Sequence, residues 1–220
     1  MDTINNHPTD ELLVSYSAAS LPLSQALCIS VHLENCDECA QKLRRLNQVG
    51  SELMHQLRPA PPSPGLKAQL LDRLDSITDH GETERHSPGN PSVPRSLHQF
   101  ITTGYGDISW KRISRDIQSY ELCRDQNNAK VELLRIRPGG TSSTHTHMGD
   151  EYTVILEGSF SDEDGLYRKG DFLLRDSSHQ HTPVATQDKH CICLAVTEAP
   201  IQLTGFFGRL FNPLIRRSYA

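Results

Sequence analysis

The chain has 220 residues and a formal net charge of −5, and its isoelectric point is near 6.1. This balance creates no global field that attracts DNA, RNA or an anionic membrane, so no direct nucleic-acid partner is expected. No apolar run approaches the ~20 residues needed to span a bilayer. The N-terminus lacks the basic and then apolar pattern of a signal peptide. We therefore expect a cytoplasmic protein without a membrane span, whose six cysteines are thiols or metal ligands rather than disulfides.

The first part of the chain has the pattern of four helices. Thr9 can cap a first helix, Ser24 can cap a second that runs through Leu33, and a third begins near Asp37. Residues 59–65 are rich in proline and break the pattern. A fourth, amphipathic helix follows, and one side of it carries Leu66, Leu70, Leu71, Leu74 and Ile77.

The pattern changes in the second part of the chain. Residues 79–96 are polar and contain several prolines, which is typical of a linker. From about Leu97 onward, short strand-like runs alternate with turns, as in a β-barrel or sandwich. We therefore predict an α+β protein of two domains, with a helical domain at 1–80, a linker at 81–96 and an antiparallel β domain at 97–220.

His32, Cys36 and Cys39 form the motif H-x3-C-x2-C where the second predicted helix meets the third. Residues three and four positions apart on a helix share a face, so these side chains can occupy three corners of a tetrahedron. His7 can supply the fourth ligand from the segment before the first helix. Two cysteines and two histidines make a closed set that is typical of structural zinc. The alternatives are that both cysteines are buried thiols or that they form a redox pair, although the βαβ context of redox C-x2-C motifs is missing.

This motif, its upstream histidine and the amphipathic fourth helix together resemble the zinc-binding anti-sigma domain over roughly residues 1–80. Proteins of that family hold an extracytoplasmic-function sigma factor and keep it from RNA polymerase. The resemblance implies that His7, His32, Cys36 and Cys39 bind Zn²⁺. It also implies that the apolar faces of the helices clamp the sigma factor, whereas the alternative for the fourth helix is that it covers its own core.

His145, His147, Glu151 and His181 form a second candidate metal site. The two histidines at positions 145 and 147 alternate along a predicted strand, so their side chains point to one face. Glu151 can approach from the next strand, and His181 from another hairpin. Three imidazoles and a carboxylate suit Zn²⁺ or another divalent transition metal. His179 competes with His181 for the role of third histidine, and the remaining alternative is a set of unrelated surface histidines.

These four residues also resemble the cupin signature. Gly139 and Gly158 stand at the spacings of the first cupin motif, and Gly170 precedes His181 as in the second. The proline and glycine usual between those last two are replaced by Asp176 and Ser178. The resemblance implies that the second domain is a cupin-like antiparallel β-barrel.

The two resemblances in one chain are those of ChrR-type anti-sigma factors. They imply a negative regulator of transcription that sequesters an extracytoplasmic-function sigma factor. The resemblance further implies that the sigma factor is released in oxidative stress caused by singlet oxygen or organic hydroperoxides. The alternative is a metal-dependent cupin enzyme, a dioxygenase or isomerase, in which an open coordination position admits substrate. A weaker alternative is a zinc-stapled adaptor for another protein.

Overall fold

The computed structural model describes residues 4–76, 90–204 and 212–213. We call residues 4–76 the helical half and residues 90–204 the sheet half. The helical half contains α1 (Asp10–Ser17), α2 (Leu23–Leu33), α3 (Asp37–His55) and α4 (Leu66–Ser76). Ile77, predicted on the apolar side of the fourth helix, lies outside the described residues. No helix within these described ranges is long and apolar enough to cross a membrane.

Local capping explains where two of the helices begin. The Thr9 hydroxyl accepts the amide of Leu12 and caps α1 as predicted. The Cys36 thiol takes the capping position of α3 and accepts the amide of Cys39. The predicted cap at Ser24 is wrong, because α2 begins at Leu23 after a proline that makes no side-chain cap. The Ser24 hydroxyl instead donates to the carboxylate of Asp125, at a distance of 2.5 Å.

The sheet half begins with a short 3-10 helix, Arg95–Leu97, and continues as three antiparallel sheets. The largest sheet has the strand order β1-β2-β3-β11-β5-β8, and the other two have the orders β10-β6-β7 and β12-β4-β9. The strands are β1 Lys111–Arg112, β2 Ile117–Arg124, β3 Lys130–Ile136, β4 His145–His147, β5 Glu151–Glu157, β6 Ser159–Ser161, β7 Leu166–Arg168, β8 Phe172–Arg175, β9 Gln180–His181, β10 Val184–Ala185, β11 Cys191–Thr197 and β12 Ile201–Leu203. Closure of these sheets into a barrel remains a prediction.

The main hydrophobic core extends through both halves. Helix α2 contributes Leu27, Ile29 and Val31, which belong to the same buried cluster as Val131 and Leu194 of the largest sheet. The sequence of α2 is apolar on most of its surface, as expected for a helix that is covered on more than one side. The helical half is therefore held against the sheet by apolar burial as well as by the covalent connection.

The predicted linker lies partly outside the described residues, which omit 81–89. The part that is described packs against the helical half. Val93 and Leu97 are buried, and the Glu34 carboxylate accepts the backbone amides of Arg95 and Ser96 at 2.7 and 2.8 Å. These contacts tie the start of the sheet half to the end of α2.

Candidate metal centres

The helical half gathers His7, His32, Cys36 and Cys39, which we call the N-terminal cluster. Each offers one ligand atom, and these atoms all lie within 4.8 Å of one another. His32 lies in the last turn of α2, and a two-residue connection leads to Cys36 at the start of α3, so the H-x3-C-x2-C spacing brings these side chains together. The segment before α1 adds His7, whose Nδ1 is 3.4 Å from each of the two sulfur atoms.

The protonation of this cluster suits a metal cation. Burial lowers the pKa of His32 to about 4, so its imidazole is neutral near pH 7. The His32 Nδ1 donates to the backbone carbonyl of Gly170 over 2.7 Å, which leaves the lone pair on Nε2. That Nε2 is buried and has no hydrogen-bond partner, an arrangement that is costly unless a ligand satisfies it. Without a cation, burial also raises the pKa of Cys39 to about 12, and binding of a divalent metal would reverse this by favouring the thiolate.

The sheet half gathers His145, His147 and His181, which we call the three-histidine cluster. All three side chains are buried. His145 and His147 point the same way from β4, and the antiparallel pairing of β4 with β9 places His181 opposite His145. The Nε2 of His181 lies 3.1 Å from that of His145 and 3.3 Å from that of His147. Three imidazole nitrogens thus converge on one point.

Each of these imidazoles has an oxygen beside its other nitrogen. The Nδ1 of His145 is 2.8 Å from the Ser143 carbonyl oxygen, and that of His181 is 3.1 Å from the Asp162 carboxylate. The Nδ1 of His147 is 3.3 Å from the Glu151 carboxylate. Such partners favour the tautomer whose Nε2 lone pair faces inward and commonly orient histidines that bind metals. Burial lowers the pKa values of His145 and His147, which also keeps these imidazoles neutral.

The structure separates the predicted ligands of this second site into two groups. His181 joins the cluster, whereas His179 is partly exposed and contacts Asp176 over 2.8 Å. The Glu151 carboxylate lies next to His147, accepts the hydroxyl of Thr153 and is not among the converging ligand atoms. A liganding role for Glu151 therefore remains a prediction.

Asp162 was not predicted as part of this site, although its carboxylate contacts His181. Its side chain is fully buried, and it also accepts the Tyr167 hydroxyl at 3.0 Å and contacts the Arg175 guanidinium at 3.4 Å. Burial would raise the pKa of this carboxyl, but hydrogen bonds from His181, the Asp164 amide and Tyr167 lower the pKa below its usual value. His181 and Arg175 lie on other strands, 19 and 13 positions away, so no local sequence signal indicates their contacts with Asp162.

A cavity of about 540 Å³ lies beside the three-histidine cluster. His145, Glu151 and His181 line one part of it. Much of the remaining wall is apolar and includes Ile117, Leu134, Ile136, Phe160, Leu173 and Leu203. A cavity of this size lies within the range of small-molecule sites.

Antiparallel sheets around converging histidines, with helices packed on one side, define a cupin-like protein with a helical N-terminal half. The ChrR cupin-like domain family matches residues 98–200. The anti-sigma-E factor ChrR of Cereibacter sphaeroides is 32% identical over 214 residues, which cover 97% of this chain and 99% of that protein. The chain therefore belongs to the ChrR family of anti-sigma factors.

A solved structure supports the same relationship. The crystal structure of Rhodobacter sphaeroides SigE in complex with the anti-sigma ChrR matches with a TM-score of 0.77 and 32% identity. The match covers 89% of this chain and 100% of the matched chain. The similarity to an anti-sigma factor spans both halves of the chain. It therefore favours a regulatory protein over the alternative of a dioxygenase or isomerase.

Proposed function

We propose that this chain sequesters an extracytoplasmic-function sigma factor and releases it in oxidative stress caused by singlet oxygen or an organic hydroperoxide. The observation that carries the proposal is family membership along nearly the whole chain, with a relative seen in complex with SigE. A cytoplasmic location follows from such a partner. Inhibition would be steric, because a bound helical half would cover sigma surfaces that RNA polymerase needs.

The surface of the helical half supports this partner. Apolar side chains are exposed along the second part of α3 and along α4, where they are available to a partner. They are Val49, Leu53 and Met54 on α3, Leu57 just after its end, and Leu66, Leu70, Leu71 and Leu74 on α4. An amphipathic helix with anchors at positions i and i+4 is a recurrent way to occupy a groove of another protein. Extended exposed apolar patches of this kind mark interaction surfaces.

The metal assignments belong to the same proposal. We assign Zn²⁺ to the N-terminal cluster, because two thiolates and two imidazoles make a closed tetrahedral set. Bound zinc there would contribute directly to the folding of the helical half. We assign Zn²⁺ or another divalent transition metal to His145, His147 and His181, with Glu151 as the fourth ligand. The convergence of the candidate ligand atoms in both clusters supports these assignments, as do the neutral imidazoles of His32, His145 and His147.

Sigma binding can be tested on α4. Leu70→Ser combined with Leu74→Ser should weaken binding of the cognate sigma factor by about 30-fold, the factor that corresponds to one hot spot of ~2 kcal/mol. Asp72→Ser is the matched control on the other side of the same helix and should leave the affinity unchanged. The measurement is a titration of sigma factor with full-length protein. Equal affinity for the double variant and the control would remove α4 from the proposed interface.

Release can be tested on the second site. Glu151→Ala should leave sigma binding intact and blunt induction of a sigma-dependent reporter by singlet oxygen, because a signal must change the relative stability of bound and released states. Glu157→Ala, at the other end of β5, is the control. Normal induction in the Glu151 variant would remove that carboxylate from the response.

A further inference from the structure

The loop between β7 and β8 reaches across to the segment that carries His7. The Asp171 carboxylate in this loop is buried, and its Oδ1 accepts the backbone amides of Asn5 and Asn6 at 2.9 and 3.0 Å. The next residue, Phe172, donates its amide to the Asn6 carbonyl at 3.0 Å. Three hydrogen bonds therefore fix the two residues directly before His7.

The same loop also holds His32. The Gly170 carbonyl accepts the His32 Nδ1 proton over 2.7 Å, in a buried contact between residues that are 138 positions apart. The Phe172 ring meets the His32 ring edge-on, with 5.9 Å between centroids. The carbonyl selects the tautomer and the aromatic ring limits the tilt, so the unpartnered Nε2 of His32 points into the N-terminal cluster.

The conformation of this loop is tightly constrained. Gly170 has a φ of +93°, and a Cβ at this position would lie 2.5 Å from the Ile4 side chain. The second oxygen of Asp171 accepts the Arg168 amide at 2.7 Å, which anchors the carboxylate to its own hairpin. The loop thus presents a fixed carbonyl and a fixed carboxylate to the helical half.

We propose that Gly170, Asp171 and Phe172 are positioning residues for the N-terminal metal site, so that the sheet half sets the metal affinity of the helical half. The inference rests on the proposed metal role of the N-terminal cluster. It has a reciprocal consequence, because metal binding at that cluster must strengthen docking of the two halves by the same free energy. A change in the sheet half could then reach the sigma-binding helices through this loop.

The test is a Co²⁺ titration of full-length, metal-depleted protein. Thiolate-to-cobalt charge-transfer absorption reports the N-terminal cluster alone, because the three-histidine cluster contains no cysteine. Asp171→Ala should weaken Co²⁺ binding at that site by about 10- to 100-fold, the usual effect of losing a group that orients metal ligands. Asp171→Asn retains one acceptor oxygen and should show a smaller loss.

Asp125→Ala is the matched control. Asp125 is another carboxylate of the sheet half that bonds the helical half, through Ser24, but it contacts neither His7 nor His32. This variant should bind Co²⁺ with wild-type affinity.

Wild-type affinity in Asp171→Asn, or an equal loss in the Asp125 control, would overturn the inference even if Asp171→Ala fails to fold. Absence of the charge-transfer band from the wild type would overturn the metal site itself, and the inference with it. Sigma binding, measured separately, tests the anti-sigma function independently of either result.

Discussion

The buried carboxylate of Asp162 links the three-histidine cluster to the surrounding sheet. It contacts the His181 imidazole, the Tyr167 hydroxyl and the Arg175 guanidinium. One oxygen therefore orients a candidate ligand while the carboxylate as a whole is held in place by other groups. Because this geometry depends on packing between distant segments, it belongs to the tertiary structure rather than to the histidine motif.

Replacement of Asp162 should weaken the second metal site. Asp162→Ala removes the acceptor that fixes the His181 tautomer, so we expect the metal affinity to fall by about 10- to 100-fold. Competition with a chromophoric chelator measures this metal affinity. Asp164→Ala is the control. The Asp164 side chain is exposed and, like that of Asp162, pairs with Arg175, at 3.3 Å, but it is not the carboxylate that contacts His181. Equal affinities in the two variants would show that the hydrogen bond to His181 is dispensable.

The candidate ligands could be predicted from the sequence, but their supports could not. The spacing of His32, Cys36 and Cys39 is local, and a helix end converts it directly into proximity. The alternation of His145 and His147 is equally local. The carbonyl of Gly170 acts on His32 from 138 positions away, and no periodicity in the sequence encodes such a contact.

Helix α2 is the element that joins the two halves through apolar packing. Ile29 is fully buried in the core that also contains residues of the largest sheet. Ile29→Ala should lower the free energy of unfolding by about 2–5 kcal/mol, because it removes buried methyl groups and leaves a cavity. Chemical denaturation of the metal-loaded protein measures the change.

Leu23 provides the matched control on the same helix. Its side chain is 56% exposed, so Leu23→Ala should change the free energy of unfolding by no more than about 0.5 kcal/mol. A large loss in this control, or a negligible loss in Ile29→Ala, would contradict the packing described for α2.

The boundaries of the elements could be predicted where local chemistry decides them. Thr9 caps α1, and α3 begins at Asp37, as the sequence indicates. The prediction that Glu151 lies on the strand after the one with His145 and His147 is also confirmed. The cap predicted at Ser24 failed because its hydroxyl bonds Asp125 of the sheet half, 101 positions away. Local propensity cannot anticipate a competing partner that only the assembled fold supplies.

The two halves share more than a covalent connection. Apolar side chains of α2 and of the largest sheet lie in one core, and several polar contacts between the halves add to it. The Ser24 hydroxyl meets Asp125, the Glu34 carboxylate meets the amide of Arg95, and the Asp171 carboxylate meets the amide of Asn5. The division into separate domains at 1–80 and 97–220 stays a prediction, and cooperativity of unfolding is the property that tests it.

We expect the metal-loaded protein to unfold in a single transition, because loss of the shared core would destabilise both halves together. Trp110 is the sole tryptophan, and it lies in the sheet half, where it packs against the shared core, so its fluorescence mainly reports that half. Circular dichroism at a helical wavelength mainly reports α1–α4. Coincident denaturation midpoints from the two probes would indicate one cooperative unit. A helical transition that precedes the fluorescence change would show that the helical half undocks and unfolds on its own, and this would favour two independent domains.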